Sequence, residues 1–303
     1  MTVFKAALVQ MRSGIDPARN AETMERLVGE AVSRGAHYVQ TPEMTGILCR
    51  DKAAFRNHLK PAEADPVVAA ARALARRHAI TLHLGSTAVA APDGMAANRA
   101  FLFGPDGETL ETYDKIHMFD VDLDGGESWR ESATYQPGVR AGVADIAVNG
   151  GVARLGFAVC YDMRFPELFR AEALAGAEIL TAPAAFTRQT GEAHWHILLR
   201  ARAIENNCFM LAAAQGGLHE DGRETFGHSI AIDPWGKVLA EVAGDEPGVA
   251  LAEIDTARVA EIRAKVPNLK NRRRFEAPDP RADFVDAPRQ GLAQAPHKGL
   301  AQV

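Results

Sequence analysis

The chain has 303 residues, of which 47% are hydrophobic and 24% are charged, an ordinary composition for a globular protein with a full core. The net charge of -5 and the pI of about 6.1 argue against a nucleic-acid partner, because nucleic-acid-binding domains usually carry a basic surface. No apolar stretch approaches the roughly 20 residues that span a bilayer, and residues 1–11 are too short and polar for a signal peptide. We therefore expect a cytoplasmic protein without a membrane partner.

The cysteines also indicate a reducing compartment. Cys49, Cys160 and Cys208 are an odd set without the spacing of a disulfide framework. Such a set is typical of a protein whose thiols stay reduced. We expect any special cysteine here to act chemically and not as a covalent cross-link.

Short apolar strands alternate with amphipathic helices along the chain. Residues 3–11 predict a strand, and Asp16-Pro17 opens a helix that continues to about Arg34. Asp65-Pro66 opens a later helix with the same signature, an N-capping aspartate followed by proline at the first helical position. Alternation of this kind predicts an α/β fold.

Two parts of the chain resemble each other. The segments GAHYVQTP (35–42) and GAEILTAP (176–183) each follow an amphipathic helix and end a predicted strand. Each is followed by a predicted hairpin with a Pro/Gly turn, at residues 101–113 and 230–242. We interpret this as a weak internal duplication. It predicts two mixed sheets that pack face to face with helices outside.

The end of the chain has a different composition. Residues 277–303 are rich in Ala, Pro, Gly and Gln and show little periodicity. Segments of this kind cannot bury enough apolar surface to order themselves. We therefore predict one domain over residues 1–276 and a disordered or loosely docked tail over 277–303.

Cys160 is the first candidate for chemistry. It ends the strand pattern GGVARLGFAVC and precedes a helical pattern, a position that open α/β folds use for their sites. The backbone N–H groups that follow could stabilise an oxyanion. Cysteine is also common as a buried hydrophobic residue, so its position alone does not show whether Cys160 is catalytic. Cys208 is interpreted as a core thiol in a strand, and Cys49 is expected to border the same cleft as Glu43.

Histidine is the usual base for a thiol, but the histidines do not fit that role here. His194 and His196 are two residues apart on a predicted helix and so face different directions. Nothing local ties His117 or His228 to Cys160. We interpret these histidines as structural or supporting residues. They lack metal-site spacing, and no Gly-x-Gly loop is present, so we expect no metal and no other cofactor.

Glu43 and Lys115 offer a better set of partners for the thiol. Glu43 follows Pro42 at the end of one predicted strand, and Lys115 ends another. Each residue alone has an ordinary interpretation as a solvated charge at a strand end. Their conjunction with Cys160, which also lies at a strand end, is what indicates a site.

Four ordered motifs resemble those of the nitrilase superfamily. They are TPEMTG around Glu43, YDKIHMFDVDL around Lys115, WRES around Glu131 and LGFAVCYDMRFPEL around Cys160. The segments LLRARAIENNCFMLAAAQ and GHSIAIDPWGKVLAE extend the resemblance, which covers roughly residues 3–275 and is strongest to the Nit-type branch.

The resemblance implies a four-layer α-β-β-α sandwich and a homodimer or larger homo-oligomer. It implies a mechanism without metal, in which Cys160 is the nucleophile and Glu43 the general base and acid. Lys115 would be the cation that stabilises the oxyanion, and Glu131 would support the site. The implied partner is a small carboxylate-bearing amide such as deaminated glutathione, or alternatively 2-oxoglutaramate or 2-oxosuccinamate. A catalytically silent scaffold of the same fold is a further alternative, although it would not need all four residues.

Four residues are candidates for substrate binding. The backbone N–H of Tyr161 could hold the oxyanion, and Phe186 and Thr190, after another strand end, could line the pocket. Arg164, four residues after the nucleophile, could bind a substrate carboxylate or form a structural ion pair. The sequence does not decide between these two roles of Arg164.

Overall fold

The computed structural model describes residues 2–123 and 128–278. The chain divides into two units, Met1–Lys270 and Asn271–Val303, and only residues 271–278 of the second unit are described. Apart from residues 277 and 278, the predicted tail therefore lies outside the described residues, and its state stays a prediction. Within the described ranges, no helix is both long enough and apolar enough to cross a membrane.

The strands vary in length from three to ten residues. They are β1 (Val3–Gln10), β2 (Tyr38–Gln40), β3 (Thr81–Ala90), β4 (Ala96–Phe103), β5 (Thr109–Asp114), β6 (Asp120–Asp122), β7 (Ser128–Arg130), β8 (Val143–Val148), β9 (Gly151–Phe157), β10 (Ile179–Thr181), β11 (Phe209–Ala212), β12 (Gly216–Leu218), β13 (Glu224–Phe226), β14 (Ile230–Ile232), β15 (Val238–Glu241) and β16 (Gly248–Asp255). The α-helices are α1 (Pro17–Ser33), α2 (Lys52–His58), α3 (Pro66–His78), α4 (Pro166–Leu174), α5 (Arg188–Asn206) and α6 (Ala257–Lys265).

The helix starts follow the capping signals of the sequence. The Asp16 carboxylate accepts a hydrogen bond from the N–H of Ala18 at 2.9 Å, and Asp65 accepts from Val67 and Val68 at 2.9 Å each. The first helix ends at Ser33, one residue before the predicted end, and Arg34 is its C-cap. Helix α2 was not predicted, because its seven residues are too few to show a helical period.

Twelve of these strands form two six-stranded sheets that share one arrangement, and the other four form the two-stranded sheets β6-β7 and β12-β13. The first six-stranded sheet has the order β16-β1-β2-β3-β4-β5, and the second has the order β8-β9-β10-β11-β14-β15. In each six-stranded sheet, three adjacent parallel strands are flanked by antiparallel neighbours, one on one side and two on the other. The segments that resemble each other in sequence occupy equivalent places, β2 with β10 and the hairpin β4–β5 with β14–β15. This is the pattern that an internal duplication predicts.

The layers of the fold are defined by what packs against each face of the two large sheets. In β1, Phe4, Ala6 and Leu8 contribute to a core shared with the second sheet, whereas Ala7 and Val9 pack with α1 and α3. A strand buried on both faces reads as a nearly continuous apolar run, as VFKAALVQ does. On the other side, α4 and α5 pack against the second sheet. The result is the α-β-β-α sandwich expected from the resemblance.

Gly85 lets the two sheets approach each other beside the strand ends. It lies at a register irregularity of the β3–β4 pair. A Cβ atom at this position would lie 2.0 Å from the Thr41 carbonyl oxygen and 2.6 Å from the Pro183 Cβ. Both contacts involve the segments that follow β2 and β10, so neither neighbour can move without shifting a strand end.

We predict that Gly85→Ala lowers the free energy of unfolding by about 1–3 kcal/mol, because the added methyl group overpacks a rigid contact. The matched control is Gly29→Ala in the middle of α1, where an added Cβ meets nothing within 4 Å. That change should raise the free energy of unfolding by roughly 0.5–1 kcal/mol, because glycine is costly inside a helix. Urea denaturation of both variants measures the two effects, and equal stability of both would contradict the proposed contact.

Candidate active site

The candidate residues come together at the ends of strands. Glu43 follows β2 after two residues, Lys115 comes directly after β5, and Cys160 follows β9 after two residues. Glu131 begins a short 3₁₀ helix directly after β7. Four segments that are distant in sequence therefore deliver one side chain each to the same place.

Lys115 is buried between two carboxylates. Its Nζ lies 3.0 Å from Glu43 Oε1 and 2.8 Å from Glu131 Oε2. The exposed fractions of the three side chains are 2% for Lys115, 5% for Glu43 and 11% for Glu131. A buried ammonium group needs such partners, because burying an unpaired charge would cost several kcal/mol.

Neutral donors complete the coordination of both carboxylates. The Nδ2 of Asn98 lies 2.9 Å from Glu43 Oε1 and 3.3 Å from Glu131 Oε1. The backbone N–H of Ala185 donates to Glu43 Oε2 at 2.7 Å, and that of Phe119 donates to Glu131 Oε2 at 2.7 Å. Each carboxylate is thereby held in one orientation, and Asn98 bridges the pair.

Cys160 has a constrained backbone. Its φ is +50°, in the left-handed region that side chains other than glycine rarely adopt. Its N–H donates to the carbonyl of Pro183 at 2.9 Å, and its thiol lies beside the Glu43 carboxylate, whose negative charge acts on it. Strain of this kind persists only where the surroundings enforce it, and it is often found at functional positions.

Asp162 holds the turn that carries Cys160. One of its carboxylate oxygens accepts hydrogen bonds from the Tyr113 hydroxyl at 2.7 Å and the Val159 N–H at 2.9 Å. The other lies 2.9 Å from the backbone nitrogen of His117 and 2.7 Å from its Nδ1. The His117 side chain thus supports the turn through Asp162, in line with its interpretation as a supporting residue.

The electrostatic balance leaves Glu43 as a carboxylate. Burial raises the pKa of Glu43, but the charge of Lys115 and hydrogen bonds from Cys160, Lys115 and the Ala185 N–H outweigh it, and the pKa is lowered. Glu43 is therefore ionised at neutral pH and able to accept a proton.

The same surroundings keep the thiol of Cys160 protonated. Burial and then the negative charge of Glu43 raise its pKa well above the usual value, although Lys115 acts in the opposite direction. For Lys115, burial lowers the pKa, but Glu131 and Glu43 raise it more, so that it lies well above its usual value. The resting site holds a thiol, a carboxylate that faces it, and an ammonium group.

A cavity of about 580 Å³ opens onto these residues. The walls that the structure describes include Glu43, Lys115, Glu131 and Cys160, together with Tyr161, Phe186, Thr190 and Cys49. The structure thus brings three of the four predicted substrate-binding residues to the same cavity. Cys208, in contrast, is fully buried in the core, where its thiol donates to the Ala177 carbonyl at 3.2 Å.

Arg164 lies beside the cavity wall. Its guanidinium lies 5.4 Å from the centre of the Phe186 ring and 5.9 Å from that of Tyr161. Its two terminal nitrogens are 3.2 and 3.3 Å from His194 Nδ1. Arg164 is not one of the described residues that line the cavity, but both aromatic rings that it contacts are.

Comparison with known proteins identifies the family. The family described as Carbon-nitrogen hydrolase matches residues 5–264. The chain belongs to this family.

Individual relatives are similar to this chain over most of its length. A protein from Yersinia enterocolitica named deaminated glutathione amidase is 42% identical over 271 residues, 88% of this chain and 92% of the relative. One of the same name from Synechocystis is 39% identical over 279 residues, 90% and 99% of the two chains. The crystal structure of Saccharomyces cerevisiae Nit3, a member of branch 10 of the nitrilase superfamily, superposes with a TM-score of 0.79 at 29% identity, covering 90% of this chain and 97% of Nit3.

Two residues of the hydrolase site were not singled out from the sequence. Asn98 is a buried amide in strand β4, whose other buried residues are all apolar, and Asp162 is a fully buried carboxylate two residues after Cys160. A polar residue inside an apolar run is the signal that could have drawn attention to Asn98, because buried polar groups need partners. The partners themselves, from other strands, could not be read from local spacing.

We predict that Asp162→Asn lowers the free energy of unfolding by about 1–3 kcal/mol, because its NH₂ group would face donors that need an acceptor. It should also slow turnover by loosening the turn that holds Cys160. The control Tyr113→Phe removes one of these hydrogen bonds and should cost about 1 kcal/mol or less. Chemical denaturation and steady-state rates of both variants measure the effects. If Asp162→Asn were no less stable than Tyr113→Phe, Asp162 would not hold the turn.

Proposed function

We propose that this carbon–nitrogen hydrolase cleaves an amide through a thioester on Cys160. The observation that carries the proposal is the buried group of Glu43, Lys115 and Cys160 on the wall of a cavity. A thiol is a weak nucleophile until a base takes its proton. Here the base is already ionised and lies beside the thiol.

In the first half-reaction, the Cys160 sulfur attacks the amide carbonyl while its proton passes to Glu43. The C–N bond then breaks, and Glu43 gives that proton to the departing amine. Charge develops on the carbonyl oxygen as the sulfur adds, and Lys115 and the N–H of Tyr161 stabilise it. One such donor typically lowers the activation free energy by roughly 3–4 kcal/mol.

In the second half-reaction, water attacks the thioester. Glu43 takes a proton from the water as its oxygen adds to the carbonyl carbon, and the proton returns to the sulfur when the C–S bond breaks. The products are a carboxylic acid and the free thiol. Glu43 thus moves a proton in both halves, and the alternation suits a group whose pKa is set by opposing effects of burial and charge.

Glu131 and Asn98 act on Lys115 and Glu43 rather than on the substrate. Glu131 accepts from Lys115 and adds a second negative charge beside it, so that Lys115 does not bind Glu43 alone. Asn98 donates to both carboxylates and holds them in place beside Lys115. Together they let Lys115 face the cavity while Glu43 remains available to the thiol.

We further propose deaminated glutathione as the substrate class, a 2-oxo acid joined by an amide to a dipeptide. Two similar proteins carry the name of that activity. The cavity volume of about 580 Å³ lies within the range of about 300–1,000 Å³ that encloses ligands of this size.

The charges of the cavity wall suit an anionic substrate. Apart from Lys115 and its two glutamates, the described wall carries Arg50, Lys52, Arg130 and Arg223 but only one carboxylate, Glu224. Deaminated glutathione carries a carboxylate at each end. An arginine has five N–H donors and can hold a substrate carboxylate even when, like Arg223, it already bonds an aspartate.

Tyr161, Phe186 and Thr190 are proposed to contact the substrate, since their side chains line the cavity. Arg164 is proposed to act through the rings of Tyr161 and Phe186, which it holds by cation–π contacts. The alternative function is an ω-amidase that acts on 2-oxoglutaramate, whose leaving group is ammonia. Such a substrate would leave most of the cavity unfilled.

The two glutamates give different predictions. Glu43→Gln cannot accept a proton and should reduce kcat by at least ~10²–10⁴-fold in both half-reactions. Glu131→Gln removes a negative charge next to Lys115, which should lower the pKa of Glu43 further. Because activity requires ionised Glu43, the acid limb of the kcat/KM profile should move to lower pH.

The measurement is a pH–rate profile of each variant together with mass-spectrometric detection of the acyl-enzyme. Cys160→Ala serves as the control that forms no acyl-enzyme. A Glu43→Gln enzyme that acylates at the normal rate would refute the assignment of the base. An unmoved acid limb in Glu131→Gln would refute the role given to Glu131.

The substrate prediction rests on a direct comparison of two amides. We expect kcat/KM for deaminated glutathione to exceed that for 2-oxoglutaramate by at least tenfold, because only the former reaches the basic wall with a second carboxylate. Release of cysteinylglycine and of ammonia is measured at matched concentrations. The opposite order would favour the ω-amidase, and no turnover of either amide would favour the silent scaffold.

A further inference from the structure

Two histidines and a glutamate outside the cavity converge on one point. His196 lies on α5, His228 precedes β14, and Glu241 ends β15. Glu241 Oε1 is 2.9 Å from His196 Nε2 and 2.6 Å from His228 Nδ1. The ligand atoms of the three side chains all lie within 4.8 Å of one another. None of the three is among the described residues that line the cavity.

The surroundings orient both imidazole rings. The Phe226 ring stacks on His228 at a centroid distance of 4.4 Å and meets His196 edge-on at 6.0 Å. The indole N–H of Trp195 donates to the His228 carbonyl at 2.8 Å and anchors its backbone. The strand pair β14–β15 positions Glu241. The cluster is therefore held by a helix, a strand and a fixed backbone, which is the arrangement that a preformed site requires.

We propose that His196, His228 and Glu241 bind a divalent transition-metal ion of the zinc class. Two imidazole nitrogens and one carboxylate oxygen are a common zinc ligand set, and nitrogen-rich sites favour the later metals of the first row. In a tetrahedral zinc site, ligand atoms lie about 3.3 Å apart, given bond lengths of about 2.0–2.1 Å. The observed separations of 2.9 and 2.6 Å would have to open by less than ~1 Å.

As far as protons are concerned, metal binding requires only a change of tautomer in the two rings. In the free protein, each ring can donate an N–H to Glu241. With the metal bound, His196 Nε2 and His228 Nδ1 offer lone pairs, and each ring carries its proton on the other nitrogen. The exposed fractions of 38%, 25% and 26% for the side chains of His196, His228 and Glu241 give the ion and a coordinating water access from solvent.

The bound ion would join α5 to the β14–β15 edge of the second sheet. Its function is therefore stabilisation of this edge and not chemistry in the cavity. The proposal is independent of the proposed hydrolysis, because it concerns different residues. The cluster could not be recognised from the sequence, because the two histidines are 32 positions apart and His228 and Glu241 are 13 positions apart.

The test is titration of the metal-free, untagged full chain with Zn²⁺ by calorimetry. The titrated protein carries Cys160→Ala, which removes the buried thiol as a competing ligand. We expect one ion per chain with micromolar or tighter affinity and a rise in the unfolding temperature. Co²⁺ should give the visible bands of a tetrahedral nitrogen–oxygen site without a thiolate charge-transfer band. A weaker, millimolar affinity or a thiolate band would overturn the proposal.

Variants assign the ligands. His196→Gln, His228→Asn and Glu241→Gln should each weaken Zn²⁺ binding at least tenfold. Asparagine is chosen for His228, whose φ is +57°, because asparagine tolerates the left-handed region. His194→Gln is the matched control, since His194 lies on the same helix but contacts Arg164. If His228→Asn misfolds, the other two variants decide. Equal affinity of His196→Gln and His194→Gln would overturn the assignment.

Discussion

The buried ammonium of Lys115 is the interaction on which the rest of the site depends. An ammonium group removed from water is tolerated only with close negative partners, and here Glu43 and Glu131 lie within 3.0 Å of it. That requirement brings the ends of β2, β5 and β7 to one place. It also sets the ionisation of the site, because the charge of Lys115 outweighs the effect of burial on Glu43 and leaves it a carboxylate. One ion cluster thus both orients the side chains of the site and brings three segments of the chain together.

The proposed nucleophile, Cys160, is positioned by a second, separate network. Asp162 accepts hydrogen bonds from three residues, Tyr113, His117 and Val159, and fixes the turn in which Cys160 adopts a left-handed backbone. The thiol is then held against Glu43 without being ionised in advance. A protonated thiol beside an ionised base avoids a second buried anion in the resting enzyme, which would be costly next to Glu43. In the proposed mechanism, proton transfer from the thiol and attack on the carbonyl are therefore coupled in one step.

The two-sheet architecture explains why the site lies where it does. Each sheet has three parallel strands whose carboxyl ends carry short segments toward the same region, and Gly85 allows two of these segments to pass at van der Waals contact. Glu43 comes from the first sheet and Cys160 from the second. The hydrogen bond from the Ala185 N–H to Glu43 is formed across the interface of the sheets, so the site requires both halves of the molecule to be folded and packed.

The amino-acid sequence by itself determined the α/β alternation, the caps at Asp16 and Asp65 and the similarity of the two halves, because these depend on local propensity and on short-range periodicity. It also determined the candidates Glu43, Lys115 and Cys160, since each lies at the end of a predicted strand, and Glu131, since its motif resembles one of the nitrilase superfamily. Only the tertiary structure decided that Asn98 bridges the two carboxylates, that Arg164 stacks on Phe186, and that His196 meets His228 and Glu241. The residues in these contacts lie between 22 and 55 positions apart in the sequence. Their geometry depends on how the strands and helices that carry them pack together. The sign of the pKa shift of Glu43 likewise depends on the balance of burial against charge, and both quantities exist only once the chain has folded.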